Sequence, residues 1–242
     1  QRLESGKNMK FLLFWGHQKT EQISKSCLSQ WYESEFQVNG IVYTTAEQFM
    51  MAEKALLFGD QDIYDQIIKC SKPGKVKELG RQVKNFNQGM WEENRFDIVV
   101  RGNFHKFSQN PELSAFLKNT NERILVEASP VDSIWGIGIA QNDENAKNPF
   151  SRNGLNLLGY GLMETRDILN DIGSFEPLES PILPPWLAYP EIDKHSIGWR
   201  MGYGETHIMA LSKYLEDLTE TQRKIYQLTF PAKGEWQDWY ND

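Results

Sequence analysis

Two short apolar runs around an Asn-Gly pair constrain the fold of this chain more than any other feature. Phe36–Val38 and Ile41–Tyr43 flank Asn39-Gly40, and this arrangement is the strongest short-range signal for a β-hairpin with a two-residue turn. A helical pattern follows over residues 45–58 and ends at Gly59-Asp60. A hairpin that leads directly into a helix indicates a fold that mixes both kinds of element.

The remaining elements are predicted from apolar spacing and from glycine and proline breaks. Strands are predicted at residues 10–15 and 124–128, and helices at 61–69, from 75, 90–107, 111–117, 155–170 and 205–217. Five prolines then lie between residues 177 and 190. The sequence therefore predicts a helix-rich α+β fold, with a single core and a small antiparallel sheet over residues 9–171. A partly helical C-terminal extension is expected over residues 172–242.

The composition excludes several classes of protein. With 40% apolar and 24% charged residues among 242, the chain has an ordinary globular composition. Its net charge of -7 disfavours non-specific binding of nucleic-acid phosphates, although it allows a local basic pocket. The four histidines are scattered and form no Cys/His cluster, so no metal site is expected. No run approaches 18 apolar residues, so no membrane span is expected.

The cysteines and the first residues of the sequence give evidence about the cellular compartment of the protein. Cys27 and Cys70 are too few for a disulfide scaffold and form no C-x-x-C pair, which favours a reducing cytoplasm. Residues 1–8 are polar and unlike a signal peptide. Met9 is a candidate natural start.

One face of the helix predicted at 45–58 combines an acid with an amine. Glu47, Met50, Met51 and Lys54 stand at i, i+3, i+4 and i+7, so they share that face. An acid and an amine held about 10 Å apart along a helix could act on one small ligand from two sides. Alternatively, the Thr-Thr-Ala-Glu pattern is a capping box, in which Glu47 would only satisfy an N-terminal amide.

A second acidic group follows the strand predicted at 124–128. Glu127 ends that strand, and Asp132 enters a loop that contains Trp135 and Gly136. Loops at strand ends commonly carry function. The alternative is that Asp132 caps a turn and Trp135 fills the core.

Further candidates could bind a flat base or a phosphate. Trp15, Trp91 and Trp135 could stack on a heterocycle, although packing in a core is the alternative for each of them. Lys106, Asn153 and Arg166 could hold a phosphate. Arg166 could instead complement a helix dipole, and Lys106 could simply be a solvated charge.

Taken together in order, these segments resemble one family. They are Phe14-Trp15-Gly16-His17, Leu28-Ser29-Gln30-Trp31-Tyr32, residues 36–43, residues 43–55, Leu79-Gly80-Arg81, Trp91, residues 106–110, Leu125-Val126-Glu127, residues 132–138, residues 153–159 and residues 162–166. The resemblance is to the YbiA-like or NADAR family and covers about residues 10–170. Residues 172–242 lie outside it.

The resemblance implies a cofactor-independent N-glycosidase. Family members cleave phosphoribosylamino-pyrimidine intermediates of riboflavin biosynthesis, or remove ADP-ribose from modified guanine. It implies catalytic roles for Glu47, Lys54 and Asp132. Substrate binding is expected from Trp15, Gly16, Trp91, Lys106, Glu127, Trp135, Gly136, Asn153 and Arg166. The chain departs from the family pattern at Gln48, where many members have His, and at Ser29-Gln30-Trp31, where Ser-Asn-Phe is usual.

The expected function is hydrolysis of an N-glycosidic bond between a (phospho)ribose or ADP-ribose and a heterocyclic base or amine, such as removal of ADP-ribose from guanine, without a cofactor or a metal. The alternatives are cleavage of riboflavin intermediates and non-catalytic binding of an ADP-ribose-like nucleotide. The expected partner is a nucleotide-like small molecule, or ADP-ribosylated guanine in single-stranded nucleic acid, with no membrane. The C-terminal extension is a candidate surface for a homo-oligomer.

Overall fold

The computed structural model describes residues 10–241. The polar start at residues 1–8 and the candidate start Met9 lie outside the described residues. Contacts along the chain divide it into two compact units, of which the first ends at Gly173 and the second begins at Ser174. The roles predicted for residues 9–171 and 172–242 as separate functional domains stay predictions.

The first unit is rich in helices and has short strands. Its described elements are β1 (Phe11–Phe14), β2 (Phe36–Val38), β3 (Ile41–Tyr43), α1 (Ala46–Leu57), α2 (Gln61–Ile68), α3 (Pro73–Arg81), α4 (Gln88–Ser108), α5 (Pro111–Lys118), β4 (Ile124–Glu127) and α6 (Leu157–Ile172). The helix-rich α+β fold class is confirmed. Single 3₁₀ turns lie at Lys25–Leu28, Glu144–Lys147 and Pro149–Ser151.

The predicted hairpin is present as the antiparallel pair β2–β3. Asn39 and Gly40 both have positive φ angles, of 51° and 80°, as a two-residue type I′ turn requires. Phe36 pairs with Tyr43 at the open end of the hairpin. The Asn-Gly signal therefore predicted both the turn and the register.

The other two strands form a parallel pair that the sequence did not predict. β1 pairs with β4, with Phe11 opposite Ile124 and Phe14 opposite Glu127. Helices α1 to α5 lie between these strands in the chain, and a crossover of that kind is what parallel pairing needs. Both strands end on the same side of the pair, so Glu127 lies beside Phe14. Trp15 and Gly16 follow Phe14 directly in the chain.

Helix α1 is central to the first unit because it contacts α2, α3 and α4. Glycines allow two of these helices to approach closely. A Cβ at Gly80 of α3 would overlap the Met51 side chain, and a Cβ at Gly102 of α4 would lie 2.7 Å from Phe49. The acid–amine face of α1 is thus held at short range against α3.

Helix α6 packs on β4 and α4. It begins at Leu157, two residues later than predicted, because Asn156 adopts a left-handed conformation at its N-terminus. A Cβ at Gly159 would overlap the Leu125 carbonyl oxygen of β4. This glycine lets the first turn of α6 lie against the backbone of the strand.

The second unit is small and helical. It holds the described helices α7 (Pro185–Ala188), α8 (Tyr203–Asp217) and α9 (Glu220–Thr229), with single 3₁₀ turns at Ile197–Trp199 and Gly234–Trp236. Its core contains Leu211, Tyr226 and Phe230. Helix α9 was not predicted, although Thr219 and Gln222 form a capping box at its start. None of the described helices is both long enough and apolar enough to cross a membrane.

We expect Gly159→Ala to destabilise the protein by about 1–3 kcal/mol, because the added methyl group meets backbone that cannot move aside. The matched control is Gly89→Ala on α4, where the nearest atom would be 3.4 Å from the new Cβ. Alanine should be neutral there, or stabilising by up to about 1 kcal/mol. Urea unfolding measures both. Equal effects of the two changes would contradict this account of the α6–β4 contact.

Candidate active site

A cavity of about 420 Å³ lies in the first unit, beside α1 and the end of β4. Side chains from α1, α3, α4 and two loops converge on it. Its walls are formed by Ser29, Gln30, Trp31, Glu47, Met50, Met51, Lys54, Lys77, Gly80, Arg81, Trp91, Glu127, Val131, Asp132, Ser133, Ile134, Trp135 and Leu158. Both ends of the acid–amine face of α1 therefore reach one space.

Glu47 is the most deeply buried acid of the cavity, with a residue exposure of 3%. Its Oε1 atom has no hydrogen-bond partner among the described residues. The pKa of Glu47 is raised to about 7, chiefly by burial and also by the charge of Asp132, and this value includes the lowering effects of Lys77, of a hydrogen bond from Trp31 and of Arg81. A carboxyl group with this pKa can accept and donate a proton near neutral pH.

The capping role belongs to Gln48 instead of Glu47. Thr45 is the N-cap of α1, and its hydroxyl oxygen accepts a hydrogen bond from the Gln48 backbone N–H at 3.1 Å. The Gln48 side-chain oxygen accepts one from the Thr44 N–H at 2.7 Å. The capping interpretation of Glu47 is therefore wrong, and its carboxyl group is left for the cavity. Gln48, which stands where many family members have His, also links two helices. Its side-chain amide donates a hydrogen bond to the Ile67 carbonyl at the end of α2.

Lys54 enters the cavity about two helical turns after Glu47. Its Nζ donates to the Gly80 carbonyl at 2.8 Å and lies 4.4 Å from the Phe86 ring centroid and 5.5 Å from that of Trp91. Burial lowers the pKa of Lys54. Its amine therefore loses its proton more readily than a surface lysine, as a nucleophilic amine requires.

Glu127 contributes a second acid from the end of β4. The pKa of Glu127 is raised to about 8, chiefly by burial and also by the negative charges of Asp132 and Glu47, and this value includes the lowering effect of Lys77. Its Oε2 atom has no hydrogen-bond partner among the described residues. The Asn156 side chain holds this strand end, because it accepts from the Glu127 N–H at 2.9 Å and donates to the Leu125 carbonyl at 3.0 Å.

The loop after β4 presents Asp132 and Trp135 to the cavity. Asp132 Oδ1 accepts hydrogen bonds from the backbone N–H groups of Ile134 at 2.9 Å and of Trp135 at 2.8 Å. The turn-capping alternative is thus present, and the same side chain lines the cavity. Trp135 is half-buried against the cavity instead of filling the core. A Cβ at Gly136 would lie 2.9 Å from the carbonyl oxygens of both Asp132 and Glu127, so only glycine fits the turn.

The structure brings together six of the residues predicted for the site. Glu47, Lys54, Trp91, Glu127, Asp132 and Trp135 all line the cavity, and Gly136 is part of the turn behind them. Trp15 is 54% exposed just past β1 and, with Gly16, does not line the cavity. Asn153 is also outside the wall; its N–H donates to the Ile137 carbonyl.

Two cations predicted to bind phosphate lie elsewhere. Lys106 is fully buried, and its Nζ donates to the carbonyls of Cys27 at 2.7 Å and Ser29 at 2.8 Å. Arg166 is buried as well and donates to the Thr120 hydroxyl and the Arg123 carbonyl. Neither cation lines the cavity, because the amine of Lys106 and the guanidinium of Arg166 are engaged with backbone carbonyl groups.

Among the wall residues that were not predicted for the site, three have aromatic or charged side chains: Trp31, Lys77 and Arg81. Trp31 belongs to a segment that carried the family resemblance, but it was not assigned to the site. Lys77 and Arg81 lie four residues apart on α3, a spacing that places both on one helical face. That spacing was the available signal. No group of three His, Cys, Asp or Glu side chains within residues 10–241 is arranged to hold a metal ion.

Comparison with known proteins identifies the family. The model of the NADAR domain family matches residues 13–170. This chain belongs to that family. The match spans the cavity and all the elements that build it.

Two relatives and one solved structure agree with this assignment. The chain is 46% identical to N-glycosidase R617 of Acanthamoeba polyphaga mimivirus over 65% of its own length and 95% of that protein. It is 33% identical to the chloroplastic riboflavin biosynthesis protein PYRR of Zea mays, over 53% of this chain and 20% of that one. The NMR structure of E. coli YbiA covers 72% of this chain and 94% of its own, with a TM-score of 0.56 at 23% identity. This likeness shows the YbiA-like fold.

We expect Glu47→Gln to stabilise the protein at pH 8 and to leave its stability nearly unchanged at pH 4.5. The pKa of Glu47 is raised from 4.5 to about 7 in the folded state, so the folded protein loses stability as pH rises through that window. Removing the charge should recover at most about 3 kcal/mol. Thermal unfolding at both pH values measures this. Glu93→Gln, on the exposed surface of α4, is the control, and a pH-independent effect of Glu47→Gln would contradict the burial argument.

Proposed function

We propose that this chain, an N-glycosidase of the NADAR family, hydrolyses the bond between C1 of ADP-ribose and a guanine nitrogen. The observation that carries the proposal is the buried Glu47 carboxyl group, which has an unpartnered oxygen and titrates near neutral pH in a cavity shared with Lys54. A cavity of about 420 Å³ falls within the size range of small-molecule sites. It can hold the sugar and the base on either side of the bond to be broken.

In the proposed reaction, the C1–N bond breaks and its electron pair stays with the nitrogen. Positive charge develops on C1 and the ring oxygen, and a carboxylate beside them stabilises it. Water then forms the new C1–O bond, while Glu47 takes one of its protons and passes it on to the departing base. The products are ADP-ribose and guanine, with the atoms of one water added.

Lys54 offers a second route to the same products. Its neutral amine can attack C1 of the ring-opened sugar, the C1–N bond to the base then breaks, and the base leaves with the protons of the amine, so that an imine joins Lys54 to C1; one water then hydrolyses the imine, which releases the sugar and restores the amine. The lowered pKa of Lys54 and its aromatic surroundings support this role. The two routes differ in whether a covalent adduct forms.

The base would be bound by the aromatic walls and by one acid. Trp135 and Trp91 lie on the cavity surface, where a flat heterocycle can stack on an indole. Asp132 also faces the cavity, and its carboxylate can accept a hydrogen bond from an amino group of the base or from a ribose hydroxyl.

Cleavage of a phosphoribosylamino-pyrimidine intermediate of riboflavin biosynthesis is the second candidate. The name of the maize relative supports it, and its sugar–nitrogen bond is of the same chemical type. Non-catalytic binding of an ADP-ribose-like nucleotide is the third. It would keep the aromatic walls but would leave the raised pKa of Glu47 unused.

The proposed partner is a nucleotide-like small molecule, or ADP-ribosylated guanine in a single strand. The net charge of -7 favours these over duplex DNA, whose binding depends on many phosphate contacts. Free Cys27 and Cys70 fit a reducing cytoplasm. Assembly of a homo-oligomer through residues 172–242 stays a prediction.

We expect the purified protein to release ADP-ribose from ADP-ribosylated guanosine, and Glu47→Gln to lower the rate at least about 100-fold, as loss of a general acid–base group does. Glu93→Gln should match the unchanged protein. A parallel incubation with fresh aminopyrimidine ribotide tests the second candidate. Turnover of neither substrate would refute the glycosidase proposal, and full activity of Glu47→Gln would refute its role.

The pH profile gives an independent test of Glu47. If its carboxylate is the working form, kcat/KM should rise as pH increases through about 7, the pKa that burial gives this group. The rise should disappear from the residual activity of Glu47→Gln. A rise centred near pH 4.5 in the unchanged protein would show that a solvated carboxyl group acts instead.

A further inference from the structure

One wall of the cavity is a short irregular segment, residues 29–31, which we call the wall segment. Ser29, Gln30 and Trp31 all line the cavity. The Gln30 carbonyl accepts a hydrogen bond from the Glu47 backbone N–H at 3.0 Å, and Trp31 hydrogen-bonds to the Glu47 carboxyl group. An N–H group in the first turn of a helix has no partner within that helix. The wall segment therefore completes the start of α1 and contacts Glu47 through both backbone and side chain.

Two side chains of α4 hold the wall segment from behind. Lys106 Nζ donates hydrogen bonds to the carbonyls of Cys27 at 2.7 Å and Ser29 at 2.8 Å. The Asn103 side-chain amide donates to the Gln30 side-chain oxygen at 3.0 Å. Lys106 and Asn103 are three residues apart and share one face of α4, and both are fully buried. The wall segment is thus attached to α4 on one side and to α1 on the other.

The Lys106 ammonium group is a buried cation without an opposite charge. Within residues 10–241, Lys106 is not part of any salt bridge of the kind that links Arg101 to Glu53. Its nearby groups are the rings of Tyr32 and Phe107, at 5.6 Å and 5.0 Å, and the Cys27 thiol, whose pKa burial raises to about 11. Burying a charge in this way costs free energy. Stability alone therefore does not explain why a lysine occupies this position.

We propose that Lys106 is a positioning residue for the glycosidase reaction, whose ammonium group holds the wall segment against Glu47 and so keeps that carboxyl group oriented and shielded from water. The proposal rests on the glycosidase function above and adds a residue that lies outside the cavity wall. Hydrogen bonds from a charged donor are about twice as strong as neutral ones, and Lys106 makes two of them. A misplacement of about 1 Å in an active site can lower the rate about 100-fold.

The pKa of Glu47 reports whether the wall segment is in place. Burial is the largest of the effects that set this pKa, which rises from 4.5 to about 7. If the wall segment moves away, water reaches the carboxyl group and its pKa should fall towards 4.5. Loss of the Trp31 hydrogen bond acts in the opposite direction, but it is a smaller effect than burial. The other charged groups around Glu47 stay the same; they are Lys54, Lys77, Arg81, Glu127 and Asp132.

The test replaces the ammonium group and titrates Glu47 directly. Lys106→Met keeps a long side chain without the charge. NMR of protein containing ¹³C-labelled glutamate follows the Glu47 carboxyl group, whose signal is assigned by its absence from Glu47→Gln. We expect a midpoint of about 7 in the unchanged protein and a midpoint lower by at least about one pH unit in Lys106→Met, because hydration favours the charged form.

Arg166→Met is the matched control. Arg166 is also a buried cation that donates to a backbone carbonyl, but it lies outside the cavity wall. Its loss should leave the Glu47 midpoint at about 7. In hydrolysis assays below the unfolding temperature of each variant, Lys106→Met should lower kcat about 10-fold to 100-fold with a smaller change in KM. Arg166→Met should match the unchanged protein.

Two results would overturn the proposal: an unshifted Glu47 midpoint in folded Lys106→Met, and an equal shift in Arg166→Met. If Lys106→Met does not fold, Lys106→Gln replaces it. The glutamine amide is uncharged and one bond shorter, so it cannot hold both carbonyls at their present distances, and an unshifted midpoint there also refutes the proposal. The titration needs no catalysis. A protein that cleaves neither substrate but shows the shift refutes the proposed function and keeps the hold of Lys106 on Glu47, whereas an active protein without the shift does the reverse.

Discussion

The burial of one carboxyl group governs the arrangement of this site. Glu47 lies on the first turn of α1 with almost no exposed surface, and an ionised carboxylate in such a place is costly unless it is paired. The structure leaves one of its oxygens without a partner among the described residues. The fold thus gives up stability at this position and gains an acid that titrates near neutral pH.

Two other buried side chains hold the backbone in place around that acid. Lys106 binds two carbonyls of the segment that carries Trp31, and Gln48 ties the start of α1 to the end of α2. Both side chains are buried, and buried polar groups of this kind are stable only when they are hydrogen-bonded. Each therefore fixes the position of a loop or a helix end near the cavity. The Lys106 amine does so at a further cost, since burial lowers its pKa to about 7.

The sequence predicted the features that depend on local signals. The Asn-Gly turn, the α1 helix and the common face of Glu47 and Lys54 follow from residues close together in the chain. The β1–β4 pair did not, because its strands are more than 100 residues apart and nothing local specifies their pairing. Lys106 was misplaced because a lysine between Phe104 and Phe107 is on an all-round buried stretch of helix. Lys77 and Arg81 were missed because only the packing of α3 on α1 decides which side of α3 faces the cavity.

The hydrogen bonds between the Asn156 side chain and the backbone of β4 affect how this strand can associate with other chains. β1 pairs with one edge of β4, while on the opposite side the Asn156 amide satisfies the Glu127 N–H and the Leu125 carbonyl. An open strand edge is a template onto which another chain can add a strand. A single side chain here takes the place of that strand, so the segment that carries Glu127 withholds two of its backbone groups from intermolecular sheet formation.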